Sequence, residues 1–340
     1  MRVDDFWYVV ARSEDLRGDT VLARQVLDEW LVVFRGVDGA PAILQDRCSH
    51  RNSRLSLGKV CAGHLQCPYH GWTYNAEGQV TAVPAEGDGF QRLAERRARR
   101  YACREQDGYV YVRIAETPTE AVEPFPMPHW GVAPWRHIRL VNRIANNVTN
   151  CVENFIDVPH TVFVHPGIFR KSRGQLIEAT LTRENGSVIV DYKNETDNLG
   201  WFSWFLNPKG TTISHQDRYF MPNVTNVEYS FGPRRVFIIT SQSVPCSESE
   251  TLVYTDLTYD YGIWNLFAGP IVRYQSQAVI DQDIVALGQQ MEVIQKYGAA
   301  FSNTPADVIH VLVESIRDEL ARGGDPRGLP PKRLDVRFRV

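Results

Sequence analysis

Two groups of residues in this 340-residue chain have the types and spacing to hold a transition metal, and each suits a different kind of centre. The first is Cys48-Ser49-His50 followed, after sixteen intervening residues, by Cys67-Pro68-Tyr69-His70. Each short pair offers one thiolate and one imidazole, so two loop tips can pinch a cluster between them. Thiolates on one iron and imidazoles on the other raise the potential of a 2Fe-2S cluster above that of an all-thiolate one, which makes it a one-electron relay. Gly58, Gly63, Pro68 and Gly71 supply the tight turns such loops need. A structural zinc ion takes the same ligand types, but zinc fingers group the cysteines and then the histidines, whereas here they alternate. The second group is Asp157, His160 and His165. Two imidazoles and a carboxylate leave positions open on a single Fe(II), the arrangement that binds and activates oxygen. Taken alone, two histidines at this spacing also fit a pair of hydrogen-bonded core residues.

The elements that position these residues follow from pattern. Residues 1 to about 116 are short apolar runs broken by turn residues, among them Trp30 to Phe34, Ala42 to Leu44 and Tyr109 to Val112, which predicts a small all-β module over 1–117. Pro118, Pro124, Pro126, Pro128 and Pro134 then fall within seventeen residues, too dense for helix interiors or central strands. The spacing predicts a proline-rich linker over 118–135 and a second domain over 136–340. In that domain Ile144, Val148, Cys151, Val152 and Phe155 predict a helix over 142–158, and 187–192, 235–244 and 251–259 read as strands. Helices are expected over 270–297 and 305–322, with a loop from Gly323 to Pro331. On a continuing helix Asp157 and His160 share a face, whereas His165 is turned by about 140° from His160. The chain must therefore leave the helix between the histidines, which Pro159 and Pro166-Gly167 permit. The second domain reads as α+β with a largely antiparallel sheet.

Composition excludes several classes. With 43% hydrophobic and 23% charged residues the chain reads as an ordinary globular protein, and a net charge of −3 gives no global case for nucleic acid. No window approaches a membrane span, and the acids of Met1-Arg2-Val3-Asp4-Asp5 do not suit a signal peptide, so a cytoplasmic protein with no membrane partner is expected. Six cysteines are too sparse for a disulfide scaffold, and the four outside the first group read as ordinary buried thiols.

The segments Cys48-Ser49-His50 and Cys67-Pro68-Tyr69-His70-Gly71-Trp72 resemble the C-x-H and C-P-x-H-G-W segments of the Rieske-type non-haem iron oxygenases, with Ser49 where proline is common. Glu153 to His160, followed by Phe163-Val164-His165, resembles the catalytic-domain signature of the same family. The resemblance implies an N-terminal Rieske 2Fe-2S domain and a helix-grip (START-like) catalytic domain. It implies that Cys48, His50, Cys67 and His70 hold the cluster and that His160 and His165 bind a mononuclear Fe(II). A third ligand would come from a C-terminal helix, where Asp281-Gln282-Asp283-Ile284-Val285 offers two aspartates. Asp283 precedes an apolar pair, as the family's ligand does; Asp281 stays open, because Gly288 stands where the family often has an acid. By the same resemblance Asp157 hydrogen-bonds a cluster histidine of a neighbouring subunit, here His70, which implies a homotrimer. Orienting His160 is a second role open to Asp157, compatible with the first. Asn154 would lie near the iron.

Other features carry less. The run Arg96-Arg97-Ala98-Arg99-Arg100 with Arg104 reads as a solvated face or, second, as a docking patch for an acidic redox partner. Trp201-Phe202-Ser203-Trp204-Phe205, Phe220-Met221 and Tyr261 to Phe267 read as core, with an apolar pocket above the iron as the other use. There is no G-x-G-x-x-G after a strand and no plant-type ferredoxin motif. Electrons are therefore expected from a separate ferredoxin or reductase, with NAD(P)H used only through that partner. The expected function is a terminal oxygenase component that mono-oxygenates a small organic substrate with O2, by C–H hydroxylation or O- or N-demethylation. Desaturation and oxidative cyclisation remain open. An iron-sulfur electron-transfer protein without oxygenase activity and a zinc-stabilised binding module are the rivals of other classes.

Overall fold

Strand-forming residues dominate the first third of the chain, and in the computed structural model they pair as small antiparallel sheets. The structure describes residues 1–89, 95–120, 122–166, 174, 176–193, 213–232 and 235–339. Its contacts divide it into one unit of Arg2–Pro126 with Pro245–Ser247, and another of Met1, Met127–Val244 and Glu248–Val340.

The first unit contains β1 (Trp7–Arg12), β2 (Leu22–Val26), β3 (Glu29–Arg35), β4 (Pro41–Gln45), β5 (Lys59–Cys61), β6 (His64–Gln66), β7 (Thr73–Tyr74), β8 (Val80–Ala82), β9 (Ala102–Gln106) and β10 (Tyr109–Arg113). They form sheets in the orders β1-β10-β9, β2-β3-β4 and β5-β6-β7-β8. Leu31 to Phe34 and Tyr109 to Val112 are buried without a break, as continuous apolar runs are when both faces of a strand are covered. A core of Val32, Phe34, Leu44, Leu55, Leu65, Trp72 and Tyr74 takes in Cys48 and Cys67. Of the four remaining cysteines only Cys151 and Cys246 are buried; Cys61 is exposed and Cys103 half-buried. The short alternating strand β5 points the Cys61 side chain away from the core that Val60 enters.

The second unit is built on an antiparallel sheet of β11 (Arg136–Ile144), β12 (Leu176–Glu184), β13 (Ser187–Lys193), β14 (Ile213–Phe220), β15 (Val224–Phe231), β16 (Val236–Ser247), β17 (Glu250–Asp260) and β18 (Lys332–Arg339). Its order is β11-β17-β16-β15-β14-β13-β12-β18. Helices α1 (Val148–Asn154), α2 (Thr161–Val164), α3 (Ala268–Tyr297) and α4 (Val308–Ala321) complete it. One apolar core lies between α3 and the inner face of β11 and β14–β17, with Leu140, Val227, Phe237, Leu257 and Ile280. Another packs Ile309, Leu312, Val313 and Ile316 of α4 against Leu181, Val188 and Val190. No helix among the described residues is long and apolar enough to cross a membrane.

The expected helix over 142–158 is shorter in the structure. Ile144 ends β11, paired with Thr251 of β17, and the helix begins only where the Asn147 side chain caps the N–H of Asn150 at 2.9 Å. Tertiary strand pairing overrides the helical spacing of the first positions. Asp157 and His160 also do not share a helix. They lie in the turn between α1 and α2, with His160 as the residue before α2 and His165 as the residue after it.

Candidate metal centres and an adjoining cavity

The two cysteine loops follow one hydrogen-bonding plan. After β4, the Cys48 N–H donates to the Ser53 carbonyl (2.8 Å) and the Cys48 carbonyl accepts from Asn52 (3.0 Å). After β6, the Cys67 N–H donates to the Trp72 carbonyl (2.8 Å) and its carbonyl accepts from Gly71 (3.1 Å). Both closures require a positive φ four residues beyond the cysteine, supplied by Asn52 at 59° and Gly71 at 72°. At Gly71 an added Cβ would also sit 3.0 Å from Pro84 Cγ. The plan buries both thiols and leaves His50 half-buried and His70 exposed, their ring centroids 4.5 Å apart.

Two sulfurs inside and two imidazoles outside form the donor set of a Rieske cluster. The fit has a further mark in His50 Nδ1, which is buried without a hydrogen-bond partner, the condition of a ligand atom. His50 stacks flat on Trp72 at 4.6 Å. The Tyr74 oxygen accepts from the Ser49 N–H and lies 3.1 Å from Cys48 Sγ. Burial first, then the adjoining thiol, hold its hydroxyl protonated far above the ordinary tyrosine range. In the arginine run Arg99 pairs with Glu29 and Glu116, Arg100 with Glu77, and Arg104 with Glu123.

In the second unit His160, His165 and Asp283 converge, with one ligand atom of each within 4.8 Å of the others. Asp283 Oδ1 lies 3.1 Å from His165 Nε2 and 3.6 Å from His160 Nε2. The tautomers follow from the far side of each ring. His160 Nδ1 faces Asp157 Oδ2 at 3.1 Å, and His165 Nδ1 faces Gln282 Oε1 at 2.7 Å. Both partners are acceptors, so each Nδ1 carries a proton, which leaves Nε2, on the side of Asp283, as the nitrogen available to a metal. Contacts this short between Nε2 and a carboxylate oxygen call for positive charge, carried either by protons on the rings or by a bound cation that takes the two Nε2 lone pairs. Burial works against charging His160, yet Asp157 and Asp283 outweigh it and raise its pKa to about 9. Burial likewise opposes ionisation of Asp283, and the two histidines outweigh it to bring its pKa to about 2. The site is thus organised around positive charge, and its donor set fits Fe(II).

Helix α3 decides between the two aspartates. Its buried stripe runs through Val272, Ile280, Asp283, Leu287 and Met291, so Asp283 faces inward, whereas Asp281 is exposed and accepts from Gln277 Nε2 at 2.8 Å. Gln282 and His310 were not apparent as site residues in the sequence. His310 lies 3.8 Å from both Glu153 and Asp157; only tertiary contact brings it there. Glu153 is a largely buried carboxyl, and its burial, reinforced by Glu314, pushes its pKa up to about 8.

A cavity of about 120 Å³ opens beside these ligands, between α3 and the inner face of β14–β17. Asn154, Asp157, His160, His165 and Asp283 line one side, and its other walls are mostly apolar, including Val227, Phe237, Ile239, Leu257 and Ile280. Met221 and Tyr261 pack in the cores and do not line it, and Phe267 is exposed. Trp201 to Phe205 lie outside the described residues.

The Rieske [2Fe-2S] domain profile matches residues 6–99, and that of the vanillate O-demethylase oxygenase C-terminal domain matches residues 144–322. Methylxanthine N1-demethylase NdmA of Pseudomonas putida is 32% identical over 257 residues, 70% of this chain and 71% of that protein. Chlorophyllide a oxygenase of Oryza sativa subsp. japonica is 34% identical over 167 residues, 49% of this chain and 30% of that protein. The chain thus spans less than a third of the chlorophyllide a oxygenases it matches. Dicamba monooxygenase bound to dicamba superposes with a TM-score of 0.78 at 23% identity, covering 94% of this chain and 98% of that one, which establishes the shared fold.

Proposed function

Because this chain belongs to the Rieske-type non-haem iron oxygenases, related to the vanillate and dicamba demethylases, we propose that it is a terminal oxygenase component. In this reading it mono-oxygenates a small organic substrate by hydroxylation or O- or N-demethylation. The observation that carries the proposal is the convergence of His160 Nε2, His165 Nε2 and Asp283 Oδ1 beside a largely apolar cavity. Cys48, His50, Cys67 and His70 would hold the 2Fe-2S cluster, and His160, His165 and Asp283 the mononuclear iron. Bound there, the two groups supply electron relay and O2 activation.

The remaining work falls to the protein. Asp157 and Gln282 fix the ring orientation and tautomer of the two histidines. The apolar walls from the sheet and α3 would hold a substrate C–H against the iron side. Tyr74 offers a proton to the Cys48 sulfur, a device that raises a cluster's potential. Asp157 would also accept from His70 of a neighbouring copy in a homotrimer; the exposed ring of His70 and the partly exposed side chain of Asp157 support this. Asn154, which lines the cavity and whose buried Nδ2 has no hydrogen-bond partner, would lie beside the iron. A separate ferredoxin or reductase, drawing on NAD(P)H, would deliver the electrons.

Iron-reconstituted protein, supplied with a reductase and a set of small methylated and ring substrates, tests the reading. Substrate-dependent O2 uptake with an oxygenated or demethylated product is the expected result. A protein that passes electrons through its cluster but never consumes O2 would be the electron-transfer alternative. Purification without colour would instead favour zinc.

A further inference from the structure

One buried acid in the cavity wall has no part in holding iron. Asp217 on β14 is 1% exposed and lines the cavity together with His215. The alternation of β14 places both on the inner face. Its Oδ1 accepts from His215 Nε2 at 2.9 Å and its Oδ2 from the Tyr192 hydroxyl at 2.9 Å. His215 is itself clamped between the rings of Tyr192 and Tyr229, stacked at 4.3 and 4.2 Å. This fixes the carboxylate in the wall.

Resting on the reading of this cavity as the substrate site, we propose that Asp217 determines substrate class. The structure favours a small ring compound carrying an N–H, O–H or protonated amine donor and disfavours carboxylates and sulfonates. A carboxylate offers about four acceptor positions, and His215 and Tyr192 occupy two of them. The capacity left is an acceptor's, and a substrate donor fills it. Charge points the same way. Among the described residues lining the cavity there is no lysine or arginine. Its titratable groups are Asp157, His160, His165 and Asp283 at the iron side, and His215 with Asp217 in the sheet. An anionic substrate would face the buried acid Asp217 with no lysine or arginine among the described lining residues to offset it, where low dielectric amplifies repulsion. The neighbouring walls, with Val227, Ile239, Leu257 and Ile280, accommodate an apolar ring.

Calorimetric titration of the metal-loaded protein with benzylamine, benzyl alcohol, ethylbenzene and phenylacetate tests the assignment on one ring size. Benzylamine and benzyl alcohol should bind about tenfold tighter than ethylbenzene, and phenylacetate weakest, an increment expected of one buried hydrogen bond. Asp217→Asn should erase the amine preference and improve phenylacetate binding by about tenfold. Tyr192→Phe, which keeps the carboxylate, should preserve the ranking, so the test survives a poorly folding Asp217 variant. Phenylacetate binding as tightly as benzylamine, or an unchanged ranking in folded Asp217→Asn, overturns the inference. Absence of binding by every probe, with substrate-dependent O2 uptake intact, sinks it while leaving the oxygenase reading standing. The predicted ranking without any O2 uptake supports the selectivity and sinks the oxygenase reading.

Discussion

Each cluster loop closes on itself within six residues, Cys48 to Ser53 and Cys67 to Trp72, whereas Gln282 reaches His165 across 117 residues of chain. Closing a short loop costs little chain entropy, and each half of the first centre is shaped by its own turn before the rest of the unit is considered. The second centre has no such local frame. Asn147 caps α1, the chain turns at Asp157, α2 lasts four residues, and Asp283 arrives only when α3 lies on the sheet. Metal sites of local and of long-range construction should therefore fail differently.

The largest expected effect sharpens this contrast. Asp283→Ala should lower turnover by about 100-fold or more and deplete the mononuclear iron, since even partners one shell further out are worth 10–100-fold. Iron analysis alongside the visible spectrum checks it: the cluster's colour should be unchanged, and its loss would break the claim that the two centres form independently. Asp281→Ala, on the exposed side of the same helix, should leave both centres intact.

Gln282→Leu removes the acceptor from His165 Nδ1 and should weaken iron affinity by about 10- to 100-fold. Titration of the iron-free protein with Fe(II) under anaerobic conditions measures this, and an unaltered affinity would show that the His165 orientation is set by packing alone. On the local side, Tyr74→Phe deletes one hydroxyl beside Cys48. The cluster potential should fall, on the order of tens of millivolts, with no change in mononuclear iron; redox titration followed by circular dichroism would show it.

The smallest effect concerns stability. Glu153, with its pKa raised from 4.5 to about 8 by burial and by Glu314, keeps its proton longer folded than unfolded. Its contribution is fully present below about pH 4.5 and is lost as pH rises through about 8. Glu153→Gln should flatten that decline and, at pH 8, exceed the parent in stability by on the order of 1–3 kcal/mol. Urea unfolding at pH 5 and pH 8 gives the comparison, and parallel pH dependences in the two proteins would remove Glu153 as its source.

Local pattern carried the strands of the first unit, because continuous apolar runs between turn residues admit few other structures. It misplaced the start of α1: Ile144 fits a helical face, but pairing with Thr251 holds it in a strand. Asp283 was preferred over Asp281 only by resemblance to the family's helix, and the structure adds that it interrupts the inward stripe of α3 between Ile280 and Leu287. Gln282, His310, His215 and Asp217 gave no comparable signal, since a lone polar residue on a strand or helix looks the same whether it meets solvent or a metal's imidazole.

Spacing alone put one thiol and one imidazole on each of the two loops and supplied the turn residues that let those loops close. These are short-range matters of spacing and backbone freedom. The tertiary structure alone decided which aspartate meets His160 and His165, which atoms fix their tautomers, and that a clamped carboxylate at Asp217 faces the cavity. Those facts depend on how an eight-stranded sheet and α3 pack, and packing sums weak contacts from the whole unit that no local window contains.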